Sequence, residues 1–263
     1  MPTIDAAGFP LFYREYGDAA LPPLILVHGL YGDSSTMAPI AEALAERFHV
    51  VAPDAIGHGQ SIHPENFTLA DQGRALNALI AALGYDSAAV VGVSMGSYLA
   101  AQAAILEPVR TSALVLVVPK AHGTTSSSVA YAARMGVDLA TATPEETMAL
   151  MSGAVWSPET SDQRRAELLA FASEPQVVLT TAERAAVERS LAGFDLRPDL
   201  PSITAPTLVV SGRSDGLNPP EAGEEVARLI GGARFEVYEQ SGHMLPYEEL
   251  DRLVTDITTF VLP

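Results

Sequence analysis

The sequence contains no cysteine, and this absence excludes several kinds of chemistry. Disulfide frameworks, cysteine-ligated zinc, iron–sulfur clusters and thiol nucleophiles all require that residue. A chain of 263 residues is nevertheless long enough to bury a sizeable core without disulfides or a structural metal. Any catalytic chemistry must therefore come from serine, threonine, histidine, aspartate, glutamate, lysine or tyrosine side chains.

Basic residues are scarce as well. Fifteen lysines and arginines stand against 32 aspartates and glutamates, which gives a formal net charge of −17. Such a chain is repelled by nucleic acid and by an anionic membrane surface. The sequence also has no signal-peptide pattern at residues 1–10 and no apolar run of membrane-spanning length. We therefore expect a cytoplasmic protein that binds neither nucleic acid nor membrane, with its oligomeric state left open.

Short apolar runs alternate with longer amphipathic segments in the first half of the chain and again near its end. This pattern predicts a hairpin at 3–6 and 11–16, strands at 24–27, 49–52, 88–92, 113–118, 206–211 and 234–238, and helices near 34–47, 69–83, 95–106, 220–230 and 246–261. Buried strands separated by helices are typical of a parallel sheet with helices on both faces. The predicted fold class is therefore α/β, with a mostly parallel, doubly wound sheet.

The middle of the chain, from 121 to 198, has a different texture. It contains no convincing strand, and its segments near 127–140, 144–153, 161–172 and 176–191 read as helices. We predict an α/β core formed by residues 1–120 and 199–263, with a helical cap inserted at 121–198.

The strongest local motif is Gly92-Val93-Ser94-Met95-Gly96, which lies directly after a predicted strand and directly before a predicted helix. A sharp strand-to-helix turn holds its central residue in a strained conformation, and the small residues Gly92 and Gly96 leave room for that turn. The positive end of the following helix also points at the serine oxygen. The motif therefore predicts Ser94 as a nucleophile.

A serine hydroxyl needs a general base, and that base needs a third group to orient it. Of the six histidines, His243 follows the predicted strand 234–238 and precedes the last helix. Asp215 follows the strand 206–211. Because the carboxyl ends of parallel strands meet at one sheet edge, we predict that His243 is the base and Asp215 the orienting acid.

The loop His28-Gly29-Leu30-Tyr31-Gly32 follows the strand 24–27. An oxyanion hole is commonly built from the N–H after the nucleophile and an N–H from such an earlier loop. We therefore predict the backbone N–H groups of Met95 and Leu30 as its donors. Gly29 lets the loop turn tightly, and His28 is expected to support the loop rather than to react.

With these motifs in place, the chain resembles the α/β-hydrolase superfamily from about residue 3 to 261, in the branch of serine esterases, cofactor-free haloperoxidases and carbon–carbon hydrolases. The resemblance rests on His28-Gly29, Pro53-Asp54-x-x-Gly57-His58-Gly59-x-Ser61, the elbow at 92–96, Asp215 and His243. It implies a Ser94-His243-Asp215 triad and a cap that sets substrate choice. Asp54 and His58 are expected to hold their loop together.

The expected reaction is acyl transfer to water through an acyl-enzyme, on a small to medium carboxylic ester or lactone, with no cofactor and no metal ion. Two alternatives stay open. A cofactor-free carbon–carbon hydrolase for a dioxo acid would be favoured by an arginine in the pocket, from Arg134, Arg164 or Arg213. A hydrolase-like small-molecule receptor is the other alternative. Lys120, the only lysine, follows the strand 113–118 at the sheet edge where the active site is expected, and a surface role is favoured over substrate contact.

Overall fold

The computed structural model describes residues 3–171 and 175–262. The strands are β1 (Thr3–Ala6), β2 (Phe9–Tyr16), β3 (Pro23–Val27), β4 (His49–Pro53), β5 (Ala88–Val93), β6 (Thr111–Val117), β7 (Thr207–Gly212) and β8 (Arg234–Tyr238). The α-helices are α1 (Ala38–Leu44), α2 (Leu69–Ala82), α3 (Met95–Leu106), α4 (Ser127–Arg134), α5 (Pro144–Val155), α6 (Asp162–Phe171), α7 (Thr181–Leu191), α8 (Pro220–Leu229), α9 (Leu245–Glu248) and α10 (Leu250–Val261).

The strands form one sheet in the order β1-β2-β4-β3-β5-β6-β7-β8. The opening hairpin is antiparallel, and β2 pairs antiparallel with β4. Every pairing from β4 through β8 is parallel. The carboxyl ends of β3, β5, β6, β7 and β8 therefore meet at one edge of the sheet. The predicted α/β class with a mostly parallel sheet is confirmed.

Both faces of the sheet are buried. Because neighbouring side chains on a strand point to opposite faces, one strand contributes residues to two apolar cores. In β3, Ile25 and Val27 join one apolar core, whereas Leu24 and Leu26 join the other. The first core takes its α-helical residues from α2, α3, α7 and α8, and the second takes them from α1, α9 and α10. The sheet is therefore doubly wound, with helices on both faces.

Helices α4 to α7 lie in the chain between β6 and β7, in what we call the helical segment (residues 121–198). The predicted helix at 127–140 ends early at Arg134, since Gly136 adopts a φ of +71°, outside the range of a right-handed helix. The predicted helix at 176–191 starts late at Thr181, because Thr180 and Glu183 form a capping box there. Position 172, the end of the helix predicted at 161–172, lies outside the described residues. The boundaries of a separate cap domain stay a prediction.

The predicted terminal helix is two helices rather than one. Glu249 separates α9 from α10 with φ −130° and ψ 48°, outside helical geometry. The side chains of Glu248 and Glu249 reach back to the loop before α9, where they accept hydrogen bonds from Gly242 and Ser241. These contacts tie the break to the loop that carries His243. No helix among the described residues is both long enough and apolar enough to cross a membrane.

Candidate active site

Ser94 lies between the last residue of β5 and the first residue of α3, with φ 53° and ψ −115°. Few residues other than glycine adopt a positive φ. The turn is also too crowded for larger neighbours: a Cβ at Gly92 would lie 2.2 Å from the Gly96 carbonyl oxygen, and a Cβ at Gly96 would lie 2.2 Å from the Val27 carbonyl oxygen. The two glycines therefore permit the tight turn that presents Ser94 at the carboxyl edge of the sheet.

The structure brings Ser94, His243 and Asp215 together in one chain of hydrogen bonds. His243 Nε2 lies 2.9 Å from Ser94 Oγ, and His243 Nδ1 lies 2.7 Å from Asp215 Oδ2. The other carboxylate oxygen of Asp215 accepts the backbone N–H groups of Leu217 at 2.8 Å and Asn218 at 2.9 Å. Because a carboxylate only accepts, Nδ1 carries the ring proton and Nε2 is free to accept the Ser94 hydroxyl.

This arrangement can move a proton. A serine that attacks a carbonyl carbon must lose its hydroxyl proton, and Nε2 of His243 is placed to take it. Asp215 is buried, and its carboxylate faces the imidazolium that would form. The three side chains therefore have the geometry that would allow an oriented imidazole to activate a serine hydroxyl.

Two backbone N–H groups beside Ser94 have no acceptor among the described residues. Met95 is the first residue of α3, so its N–H lacks an intrahelical partner, and the N–H of Leu30 makes no hydrogen bond within the described chain. The loop of Leu30 passes close to the serine, since a Cβ at Gly29 would lie 3.6 Å from Ser94 Cβ. Both N–H groups are thus available to an oxygen bound near Ser94.

His28 lies fully buried beneath this loop. Its Nε2 accepts the backbone N–H of Ala55 at 3.0 Å, so that nitrogen is unprotonated, and its Nδ1 donates to the Gly29 carbonyl at 2.8 Å. Burial lowers the pKa of His28, which favours the neutral ring. His28 thereby joins the loop after β3 to the loop after β4 and makes no direct hydrogen bond to Ser94 or His243.

A cavity of about 1120 Å³ opens in front of Ser94 and His243. Its apolar wall includes Leu30, Val93, Tyr98, Val129, Met151 and Phe194. Part of that wall comes from the helical segment, which therefore helps to shape the space in front of Ser94. Among the described residues, no group of three or more histidine, aspartate or glutamate side chains is arranged to hold a metal ion.

Comparison with known proteins agrees with this geometry. Residues 22–250 match the family model described as alpha/beta hydrolase fold. The chain belongs to this family. It is 27% identical over 265 residues to a pimeloyl-[acyl-carrier protein] methyl ester esterase of Aliivibrio salmonicida, covering 96% of each chain. It is 30% identical over 266 residues to a 2-hydroxy-6-oxo-6-phenylhexa-2,4-dienoate hydrolase of Comamonas testosteroni, covering 94% of this chain and 89% of that one.

The hydrolase also resembles solved structures along its full length. It superimposes on the enol-lactonase of Burkholderia xenovorans LB400 with a TM-score of 0.81 and 25% identity, covering 100% of both chains. The family and the fold predicted from the sequence are therefore confirmed, and the protein is a hydrolase enzyme.

The cation at the cavity wall of this hydrolase is not one of the three arginines considered from the sequence. Arg213 pairs with Glu239 at 2.6 Å, Arg134 donates to the Gly216 carbonyl at 2.5 Å, and Arg164 borders a separate cavity. None of them is among the described residues that line the cavity at Ser94. Lys120 does line it, at the sheet edge where the sequence placed it.

Asn218 is a supporting residue that the sequence analysis missed. Its backbone N–H binds Asp215, and its side-chain amide donates to the Tyr98 hydroxyl at 2.9 Å and to the Val118 carbonyl at 2.8 Å. The spacing of three residues from Asp215 is typical of a turn in which an aspartate accepts a nearby backbone N–H. That spacing could have predicted the first contact, but not the contacts to β6 and α3.

Glu248 is the second residue that was missed. Its Oε1 accepts the Ser157 N–H at 2.9 Å and the Thr160 hydroxyl at 2.6 Å, and its Oε2 accepts the Gly242 N–H at 2.7 Å. One carboxylate therefore joins the helical segment to the residue before His243. No local pattern predicts this role of Glu248, because Ser157 and Thr160 lie 91 and 88 positions away in the chain.

Proposed function

We propose that this hydrolase cleaves small to medium carboxylic esters or lactones, with Ser94 as nucleophile, His243 as general base and Asp215 as the group that orients it. The observation that carries the proposal is the continuous chain of hydrogen bonds, 2.9 Å from Ser94 to His243 and 2.7 Å from His243 to Asp215. The two sequence relatives and the structural neighbour include a methyl ester esterase and an enol-lactonase, which supports an ester or lactone bond.

The steps follow from the geometry. Ser94 Oγ attacks the carbonyl carbon as its proton passes to His243 Nε2, and the N–H groups of Leu30 and Met95 hold the negative oxygen that forms. His243 then gives the proton to the leaving oxygen, and an acyl-enzyme remains on Ser94. Water that loses a proton to His243 attacks the acyl-enzyme, and the acid leaves as Ser94 regains its proton.

The cavity is large enough for a small to medium ester or lactone. Its volume of about 1120 Å³ is slightly above the roughly 300–1,000 Å³ usual for small-molecule sites. We propose that the helical segment 121–198 acts as a cap on a core of residues 1–120 and 199–263 and selects the acyl group.

The scheme uses no cofactor and no metal ion. From its charge, we still expect the protein to bind neither nucleic acid nor membrane. A cytoplasmic location likewise remains an expectation from the sequence.

A second candidate reaction is carbon–carbon bond hydrolysis of a dioxo acid. It is favoured by the relative at 30% identity, whose printed name is that of a hydrolase acting on 2-hydroxy-6-oxo-6-phenylhexa-2,4-dienoate. The same Ser94, His243 and Asp215 would serve it, but the bond broken would join two carbons. Turnover of that dienoate, measured against turnover of a 4-nitrophenyl ester of similar size, distinguishes the two reactions.

The experiment that tests the proposal combines labelling with turnover. Purified protein is treated with a fluorophosphonate, the adduct is located by peptide mass spectrometry, and 4-nitrophenyl ester hydrolysis is followed in the same sample. We expect one adduct, on Ser94, with loss of turnover, and we expect Ser94→Ala to lower kcat at least about 10³-fold while the protein stays folded.

Ser202→Ala, which removes an exposed serine far from the cavity, is the matched control and should behave as the parent protein does. Near-normal hydrolysis by a folded Ser94→Ala variant would show that Ser94 is not the nucleophile. Absence of both adduct and turnover in the parent protein would favour a ligand-binding receptor over an esterase.

A further inference from the structure

The backbone after β6 turns sharply and carries Lys120 to the cavity wall. Val118, a buried β-branched residue, has φ 47°, a conformation that such residues rarely adopt. Its N–H donates to the Val210 carbonyl at 2.7 Å, and its carbonyl accepts from the Asn218 amide at 2.8 Å. The surrounding structure thus holds a strained turn two residues before Lys120, and strain of this kind is concentrated at functional sites.

The ammonium group of Lys120 has few partners. It donates one hydrogen bond, to Ser127 Oγ at 2.9 Å, and it lies 5.8 Å from the ring centre of Tyr98 and 6.0 Å from that of Phe194. Within residues 3–171 and 175–262, no acidic side chain forms an ion pair with it. Two of its three N–H donors are therefore available, and partial burial lowers its pKa.

Among the described residues that line the cavity, Glu188 carries the one acidic side chain, and it accepts the Tyr31 hydroxyl at 2.5 Å rather than pairing with Lys120. Helix α4 begins at Ser127, the residue to which Lys120 donates, and the amino end of a helix adds positive potential. Partial burial of the Lys120 ammonium group without an anionic partner costs free energy. An anion bound in the cavity beside Lys120 would offset that cost.

We propose that Lys120 binds a free carboxylate of the substrate, so that the hydrolase prefers esters or lactones that also carry a carboxylate group. The inference rests on the proposed function, because Lys120 and Ser94 border the same cavity and one substrate would reach both. A lysine suits this task as a single compact cation, and hydrogen bonds to a charged group are stronger than neutral ones.

The first test compares two pairs of esters in which one carboxyl group is either free and negatively charged or methylated and neutral. Mono-4-nitrophenyl adipate and its methyl ester place the carboxylate, or its neutral counterpart, on the acyl side. The hexanoate esters of 4-hydroxybenzoate and of methyl 4-hydroxybenzoate place it on the leaving-group side. In at least one pair we expect kcat/KM to favour the anionic ester, and Lys120→Met to reduce that preference about 10- to 100-fold.

Two further variants control for size and net charge. Lys120→Arg keeps the cation and should retain most of the preference. Arg74→Met removes an exposed arginine that pairs with Asp71 on the surface of α2, and it should leave the preference unchanged. If Lys120→Met keeps the parent's preference, or if the parent favours the neutral ester in both pairs, the proposal is overturned.

A binding measurement separates this proposal from the proposed reaction. Monomethyl adipate is titrated calorimetrically into Ser94→Ala and into the same variant carrying Lys120→Met, with circular dichroism to show that both are folded. We expect binding in the first protein and about 10- to 100-fold weaker binding in the second. Equal or absent binding in both would refute the role of Lys120. Binding that depends on Lys120, in a protein whose parent hydrolyses none of the four esters, would instead refute the proposed reaction.

Discussion

Glu248 offers a sharp test of how the helical segment and the histidine loop are held together. Its carboxylate accepts three hydrogen bonds, two from the helical segment at Ser157 and Thr160 and one from Gly242, directly before His243. Glu248→Gln preserves the shape but has only one accepting oxygen. With that oxygen toward Ser157 and Thr160, the amide NH₂ would face the Gly242 N–H, and two donors would oppose each other.

The magnitude follows from these contacts. A hydrogen bond to a charged group contributes about 1.5–3 kcal/mol and a neutral one about 0.5–1.5 kcal/mol. Loss of the Gly242 bond and weakening of the other two should therefore lower the free energy of unfolding by roughly 2–4 kcal/mol. For a chain of this size, that corresponds to a fall in Tm of roughly 4–16 °C.

The catalytic effect should appear mainly in kcat. A histidine loop without its anchor at Gly242 samples geometries in which Nε2 no longer faces Ser94, and each 1.36 kcal/mol of lost orientation lowers the rate about tenfold. We expect kcat for a neutral 4-nitrophenyl ester to fall about 10- to 100-fold with a smaller change in KM. Thermal unfolding by circular dichroism and steady-state kinetics measure the two effects.

Glu224→Gln is the matched control, since it removes the same charge from an exposed position on α8. It should leave both Tm and kcat near those of the parent. Parent-like Tm and kcat in Glu248→Gln would refute the reasoning. A reduced Tm with unchanged kcat would show that Glu248 holds the helical segment but does not position His243.

Two further predictions follow from the site. In Asp215→Asn, the amide oxygen stays with the N–H groups of Leu217 and Asn218, so its NH₂ faces His243 Nδ1 and forces the ring proton onto Nε2; kcat should fall by up to roughly 10⁴-fold, and a decrease below tenfold in a folded variant would argue against the assignment. Burial lowers the pKa of His58 from 6.5 to about 3. Below about pH 6.5, His58 therefore becomes protonated in the unfolded chain but stays neutral in the folded chain. As the pH falls below about 6.5, protonation of His58 in the unfolded chain should lower the free energy of unfolding by about 1.4 kcal/mol per pH unit. Between pH 7 and pH 5 this amounts to roughly 2 kcal/mol. Urea unfolding at both pH values measures this, and parallel pH dependence in the parent and His58→Gln would show that His58 is not held neutral.

The elements that carry the site were predictable because their signals are local. Buried strands followed by helices indicated the parallel sheet, and Gly92 and Gly96 around Ser94 indicated the strand-to-helix turn. In a parallel sheet, strand order and chain direction place the loops after β3, β5, β7 and β8 at one edge. Ser94, Asp215 and His243 could therefore be named before their distances were known.

Errors arose where distant contacts override local pattern. The last helix was expected to be continuous, but its break at Glu249 coincides with carboxylates that bind the loop before it. The sequence placed Lys120 at the edge of the sheet where the active site was expected but favoured a surface role over substrate contact. The turn at Val118, held by Val210 and Asn218, carries Lys120 to the cavity wall.

The sequence by itself determined the fold class, the family and the candidate nucleophile, acid and base, since each depends on periodicity or on residues adjacent in the chain. Only the tertiary structure decided which groups surround that site. Lys120 donates a hydrogen bond to Ser127, and Asn218 donates one to Asp215. Glu248 accepts hydrogen bonds from Ser157 and Thr160, about 90 positions away in the chain. These contacts arise from the packing of whole elements. The candidate catalytic residues were thus readable from local motifs, whereas the residues around them were decided by the packing.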